Sequence, residues 1–271
     1  MYRESLLSVA FLALVGFPLQ LNAGIILGTA EDFGVLAGTA VTNTGPSLIS
    51  GGSVGVSPGS TITGFPPGTV ASPFGIHAGD AIALQAQNDL TGAYNAIVAL
   101  THTQDLSGQD LGGLTLLPGV YSFSSSAQLT GTLTLNELGD PNAQFVFQIG
   151  STLTTASNSS VVTINGGSMP GASVFWQVGS SATLGTGTAF EGHILANTSI
   201  TLNTSASILG GSALARNGAV TLDTNNITNA NNVSAVPEPA AMTLALLSGA
   251  LLGLPVLRKR LRKRSSRVAT S

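Results

Sequence analysis

A short phrase recurs along the second half of this chain. Thr-Leu-x-Thr begins at Thr152, Thr183, Thr201 and Thr221, so its steps are 31, 18 and 20 residues (183 − 152, 201 − 183 and 221 − 201). After three of the copies an apolar pair follows: Val161-Val162, Ala189-Phe190 and Ile208-Leu209. A unit this short cannot bury an apolar face alone. It is stable only when stacked on copies of itself, and steps of 18 and 20 residues suit single coils of a β-solenoid. Side chains alternate along a strand, so Leu153, Leu184, Leu202 and Leu222 are expected to stack inward, one per coil. Thr155, Thr186, Thr204 and Thr224 stand two residues further on, where strict alternation would turn them inward too. The Gly, Asn and Asp before the last three are turn formers, which predicts a bend after the leucine that turns these threonines out. The long step is read as an uneven coil, with an excursion that includes Ser173-Val174-Phe175-Trp176-Gln177-Val178.

One segment breaks the pattern. Ala81 to Leu100 has no proline and few β-branched residues. Ile82, Ala86, Leu90, Ala93, Ile97 and Leu100 advance by 4, 4, 3, 4 and 3, the stripe of an amphipathic helix. Asp80 is placed to cap it. Gln85, Gln87, Asn88, Asp89 and Asn95 fall mainly off the stripe. The helix is expected over about 80–101, lying along the solenoid.

Charge decides what chemistry the body can do. Between Gly24 and Val236 the only cation is Arg216 against ten acids, a net charge of 1 − 10 = −9. An acidic body excludes nucleic acid as a partner. Solenoid enzymes acting on polysaccharides need converging carboxylates or a metal-assisted base, whereas these acids are scattered. Glu31-Asp32, the one adjacent pair, is read as solvated. His77, His102 and His193 lack metal-ligand spacing, so no metal or cofactor is expected. Arg216 is read as bonding backbone carbonyls. The chain has no cysteine, so disulfides and thiolate metal sites are excluded. A non-enzymatic, monomeric protein is expected.

The ends point to export. Residues 1–23 read as a signal peptide, with Arg3, an apolar run from Leu6 to Leu19, and Leu21-Asn22-Ala23 before the cut. At the other end, residues 231–239 form a linker ending in Pro237-Glu238-Pro239. Residues 240–257 are apolar and just long enough to span a bilayer. Residues 258–271 open on Arg258-Lys259-Arg260-Leu261-Arg262-Lys263-Arg264, which would stay cytoplasmic. This order resembles the PEP-CTERM sorting tail of Gram-negative bacteria that make exopolysaccharide. The resemblance implies transient inner-membrane anchoring, processing by an exosortase near the Pro-Glu-Pro motif, and a final place at the cell surface or outside the cell.

The body, residues 24–230, is similar to a known family as well. Phe33-Gly34-Val35-Leu36-Ala37-Gly38, Val41-Thr42-Asn43-Thr44-Gly45 and Gly55-Val56-Ser57-Pro58-Gly59 carry the likeness. So do Leu117-Pro118-Gly119-Val120-Tyr121, Val174-Phe175-Trp176-Gln177-Val178-Gly179-Ser180 and Ala213 to Leu222. These stretches resemble the DUF3494 ice-binding-protein family. The resemblance implies a mainly β fold, a discontinuous right-handed parallel β-helix (solenoid) with one long α-helix packed alongside. It also implies adsorption to ice through one flat face. Rungs repeat at ~4.8 Å and same-face side chains at ~6.6–7 Å along a strand, so rows of Thr methyls and hydroxyls can hold water in an ice-like layer. Some members carry Thr-(Ala/Gly)-x-(Thr/Asn), which occurs at Thr39-Ala40-Val41-Thr42 and Thr155-Ala156-Ser157-Asn158; the first is read as structural. The expected face is Thr155, Asn158, Thr186, Thr188 and Thr204.

The leading expectation is therefore an exported protein that binds an ice crystal surface and limits its growth or recrystallisation. The rival is a structural or adhesive protein of the exopolysaccharide matrix on the same scaffold. An aromatic-lined groove would favour matrix polysaccharide; with three Tyr and one Trp in the chain such a groove is poorly supplied.

Overall fold

The computed structural model describes residues 24–166 and 169–230. The readings of 1–23 as a signal peptide and of 231–271 as linker, Pro-Glu-Pro motif, membrane helix and basic tail lie outside the described residues. Among the described residues the strands form three parallel sheets of nine, seven and eight strands, designated A, B and C. The chain visits them in a fixed cycle. Phe33–Ala37 lies in A, Ala40–Thr44 in B and Leu48–Ser50 in C; Ser53–Val56 then returns to A beside Phe33–Ala37. Later strands repeat the cycle, so three-strand coils stack on one another.

The coils are not stacked in sequence order. The first, Phe33 to Ser50, sits inside the stack, and the second, Ser53 to Val70, with strand Ile76–Ala78, builds to one end. Helix α1 (Ala81–Val98) then carries the chain to the far end, where Gln104–Asp105 forms the edge of sheet A. From there the coils wind back. The last coil closes on the first: Ala213 lies opposite Val35, Val220 opposite Val41 and Asn226 opposite Leu48.

The interior is a column of apolar side chains. Its bulk is aromatic near the middle: Tyr121 stacks on Phe147 at 5.5 Å, Phe147 on Trp176 at 3.8 Å, and Trp176 meets Phe190 at 4.9 Å. Trp176 is fully buried and donates its indole N–H to Glu191 O at 3.0 Å, which satisfies a polar group that would otherwise be costly. Strand Val174–Val178 is thus an ordinary rung of sheet A. The excursion expected to include it lies instead in the preceding loop, between Ile164 and Val174.

Helix α1 covers the outer side of sheet A. Asp80 caps it by accepting from Ala83 N at 2.9 Å; this bond, ahead of the His77 contact, holds the Asp80 carboxyl below its ordinary pKa. Ala86, Leu90, Ala93 and Ile97 pack on Leu36, Val146, Phe175, Leu195 and Leu214. Two positions differ from the expected stripe. Ile82 is exposed, while Gln87 is buried and donates to Ala215 O at 3.1 Å. The contact edge runs through Ala83, Gln87 and Tyr94, and Tyr94 reaches Val178 O at 3.3 Å. Polar side chains that satisfy sheet carbonyls rotate the buried edge off the purely apolar line.

The three corners are unequal. Turns from A to B are tight. Glycine is required in them: a Cβ on Gly179 would stand 2.3 Å from Gly150 O. Turns from B to C are short as well. Corner C to A holds the long connections 137–144 and 165–173, with the short turn Gly28–Asp32 that feeds the first strand.

Candidate functional site

Sheet B has its apolar side chains inward: Val41, Leu129, Leu153, Ala182, Leu184, Ile200, Leu202, Val220 and Leu222 all belong to the core. The residues between them must face out. In the pairing register Thr63 lies opposite Thr42, Thr42 opposite Thr221, and Thr221 opposite Thr201. Thr201 lies opposite Thr183, Thr183 opposite Thr154, and Thr154 opposite Gln128. Six threonines therefore stand in one unbroken row across six coils, about 24 Å long at the usual strand spacing. Thr63, Thr42, Thr221 and Thr154 are exposed; Thr201 and Thr183 are half-buried by their neighbours in the row.

A second row runs beside it, two residues earlier in each strand. Thr61 pairs with Ala40. The backbone bonds Ile200 N to Ala219 O, Ala182 N to Ser199 O, Leu153 N to Ser181 O and Ala127 N to Thr152 O continue the row through those acceptor residues. Every member is small. Among the strands of sheet B the only charged residue is Asp223, at the end of Val220–Asp223.

The row threonines differ from others in what their hydroxyls do. Among the described residues the one hydrogen bond within the row is Thr42 Oγ1 to Thr221 Oγ1, at 3.4 Å. Among the described residues, Thr63, Thr154, Thr183 and Thr201 have hydroxyls with no protein partner. Thr is stiff at χ1 on a strand, so each side chain of the row is held in a fixed orientation on this face. The face offers regularly spaced donors, acceptors and methyls with almost no charge.

The five threonine and asparagine positions expected from the sequence are placed differently. Thr155 and Thr188 are 3% and 0% exposed and share a hydrogen bond of 2.8 Å; they cannot touch an external surface. The reason is register. Leu153 pairs with Ala182, not Leu184, so the phrase at Thr152 is displaced by two residues from the other copies. Thr154, not Thr152, joins Thr183, and Thr155 falls beside Gly185 rather than Thr186, accepting the Gly185 N–H at 2.8 Å. The predicted bend does occur after Leu184 and Leu202. Asn158, Thr186 and Thr204 are exposed there, at the corner from B to C rather than on the strands. Asn158 N donates to Thr186 O at 2.9 Å and Gly187 N to Thr204 O at 3.0 Å. Thr204 donates its hydroxyl to Asp223. Asn158 takes φ +58°, a left-handed turn residue. The signal that finds the row is Thr at the outward position of six of the seven sheet B strands, including Thr42 and Thr63, which stand outside the repeated phrase.

The titratable groups lie elsewhere. His77 bonds Asp80 through Nδ1 at 2.8 Å. His193 is buried, stacked on Phe175 at 5.3 Å, and its Nδ1 meets Ser212 Oγ at 2.9 Å; burial lowers its pKa to about 4. Glu191, on sheet C, accepts from Thr163 N at 2.8 Å, and desolvation raises its pKa. Arg216 does not behave as expected: its Nη1 donates to the Asn197 side chain at 3.2 Å and its guanidinium lies 4.4 Å over the Tyr94 ring. Among the described residues no group of three metal-binding side chains gathers. Trp176, Tyr94 and Tyr121 are buried, so they line no sugar-stacking groove.

Known proteins share this architecture. A family model described as ice-binding-like matches residues 35–228. An ice-binding protein of Nostoc sp. (strain HG1) is 56% identical over 268 residues, covering 96% of this chain and 97% of that protein. The solved structure of an ice binding protein from an Antarctic biological consortium superposes with a TM-score of 0.72 at 45% identity, covering 79% of this chain and 96% of that one. The ice-binding protein of the Antarctic ascomycete Antarctomyces psychrotrophicus gives a TM-score of 0.71 at 43% identity, covering 77% and 100%.

Proposed function

The chain belongs to the ice-binding-like family, and from that membership we propose that it adsorbs to ice through the outer face of sheet B and limits ice growth or recrystallisation. The observation that carries the face is the row Thr63, Thr42, Thr221, Thr201, Thr183 and Thr154. The row of small residues lies beside it, and the exposed corner residues Asn158, Thr186 and Thr204 form its border. Rung spacing of ~4.8 Å and same-face spacing of ~6.6–7 Å set a two-dimensional lattice of hydroxyls and methyls. Water held between them is ordered before contact, so joining a crystal costs little further ordering. Nothing in this role needs a bond made or broken, and the family's function is a binding one.

The winding belongs to this reading as a right-handed β-solenoid, the sense taken by about 98% of parallel crossovers. So does export through residues 1–23. Residues 237–239, 240–257 and 258–271 act as exosortase motif, membrane span and cytoplasmic tail, supported by their order in the sequence and the charge of the last block. The protein then stands at the cell surface or outside the cell.

Ice recrystallisation inhibition by residues 24–235 tests the proposal. The parent is expected to inhibit at micromolar concentration. A variant with Thr183→Tyr and Thr201→Tyr, whose rings stand proud of the row, is expected to lose inhibition while keeping its thermal midpoint. A folded parent without inhibition refutes the ice reading; full inhibition in the double variant refutes the face.

A further inference from the structure

Both ends of the described chain leave the solenoid on the side away from the threonine row. The last strand, Asn226–Thr228, lies in sheet C, and the chain is held to the residue after it. Asn229 is fully buried; its N–H donates to Ser50 O at 2.9 Å, and its side-chain amide to Glu31 O at 2.8 Å and Phe33 O at 3.1 Å. These bonds fix the exit at the corner between sheets C and A. The chain's beginning reaches Phe33 at the same corner, through the turn Gly28–Asp32. The long connections 137–144 and 165–173 gather there as well. In a three-sided coil that corner borders A and C and stands opposite B. Sheet A is covered by helix α1, which leaves sheet B, among the described residues, as the face with neither a covering element nor a chain end.

We infer that the protein is built to bind ice while tethered through the linker 231–239, bridging the cell surface to which its sorting tail delivers it and an ice crystal on sheet B. This inference rests on the ice reading above and adds the direction in which the face is presented. A tether at the corner between C and A turns the threonine row outward. A tether at either corner flanking sheet B would lay the row against the surface that carries it. The nine residues between Ala230 and Ala240 (239 − 231 + 1) reach at most about 30–32 Å when extended, enough to hold the body clear of its support without burying the face.

The absence of cysteine makes the test direct, since one introduced thiol gives one attachment point. The body is a sound object for it, because a solved relative aligns over 100% of its own length with 77% of this chain. Residues 24–235 are made with a cysteine added after residue 235, and separately with Gln128→Cys on the outer face of sheet B. Each is assayed free for recrystallisation inhibition, then coupled to beads and offered to a growing ice surface, with retention normalised to the free protein's activity. Beads tethered at the C-terminus are expected to be held about tenfold or more above those tethered at residue 128, because many copies engage together only when geometry allows it. Free protein that inhibits, with C-terminal beads that do not hold ice, overturns the inference and leaves the ice reading standing. Equal retention through both attachment points overturns it as well. Free protein without activity sinks the ice reading, and this inference with it.

Discussion

Thr155→Val separates a threonine that holds the coil together from one that faces outward. Valine keeps the shape of the side chain and removes its hydroxyl. Two hydrogen bonds go with it: the one shared with Thr188 Oγ1 and the one accepted from Gly185 N, both 2.8 Å. Thr188 keeps its bond to Ala156 O at 3.2 Å, but the buried Gly185 N–H loses its acceptor. An orphaned buried donor costs about 1–3 kcal/mol and a lost neutral bond about 1 kcal/mol. The added methyl returns about 0.8 kcal/mol, so the expected loss is about 2 kcal/mol. For a body of this size that lowers the thermal midpoint by about 4–8 °C. Calorimetry gives the midpoint, and recrystallisation inhibition well below it gives the activity, which is expected to be unchanged. If Thr155→Val abolished inhibition and left the midpoint where it was, Thr155 would face out. The two-residue displacement that sets Thr154 rather than Thr152 opposite Thr183 would then be wrong.

Three further outcomes follow from the same structure. His193 is buried with its pKa lowered to about 4 from 6.5, so the unfolded chain takes a proton that the fold refuses as pH falls through that window. The parent should lose roughly 3 kcal/mol relative to His193→Gln between about pH 7 and pH 4, read by denaturant unfolding; a constant difference would refute it. Glu191 and Glu137 act in the opposite direction, since burial raises both carboxyls and their cost is relieved on acidification, which is why the comparison is with the variant. Asp80→Ala removes the cap of helix α1 and should lower the thermal midpoint with inhibition intact; a loss of inhibition at unchanged stability would tie the helix end to the face. Gln128→Thr lengthens the threonine row by one coil and should raise thermal hysteresis; an unchanged value would place the limit of contact before Thr154.

The fold was legible in the sequence because its period is carried by the core. Leu184 and Leu202 do stack in one column, and the glycine, asparagine and aspartate turn signals are local enough to be read from neighbours alone. The face was less legible, for a reason specific to strands. A shift of two residues leaves every side chain on its own side of the sheet, so the phrase at Thr152 looks like the other copies and has the same alternation. What differs is which threonine ends the strand and which turns the corner. That depends on how soon the phrase begins after the preceding strand of sheet A: Thr152 follows Ile149 by three residues (152 − 149), while Thr183 follows Val178 and Thr201 follows Ala196 by five (183 − 178 and 201 − 196). A repeated phrase reports the period of the stack, while the neighbours across the ladder decide the column. The winding order explains the rest. Thr42 and Thr63 join a row with Thr221 although 179 residues separate Thr42 from Thr221 (221 − 42). The first coils are filed beside the last only because helix α1 returns the chain to the far end. A face that needs an unbroken row of six coils is thus completed when the two ends of the body meet, so the order of winding that sets the exit corner also finishes the surface presented on the opposite side.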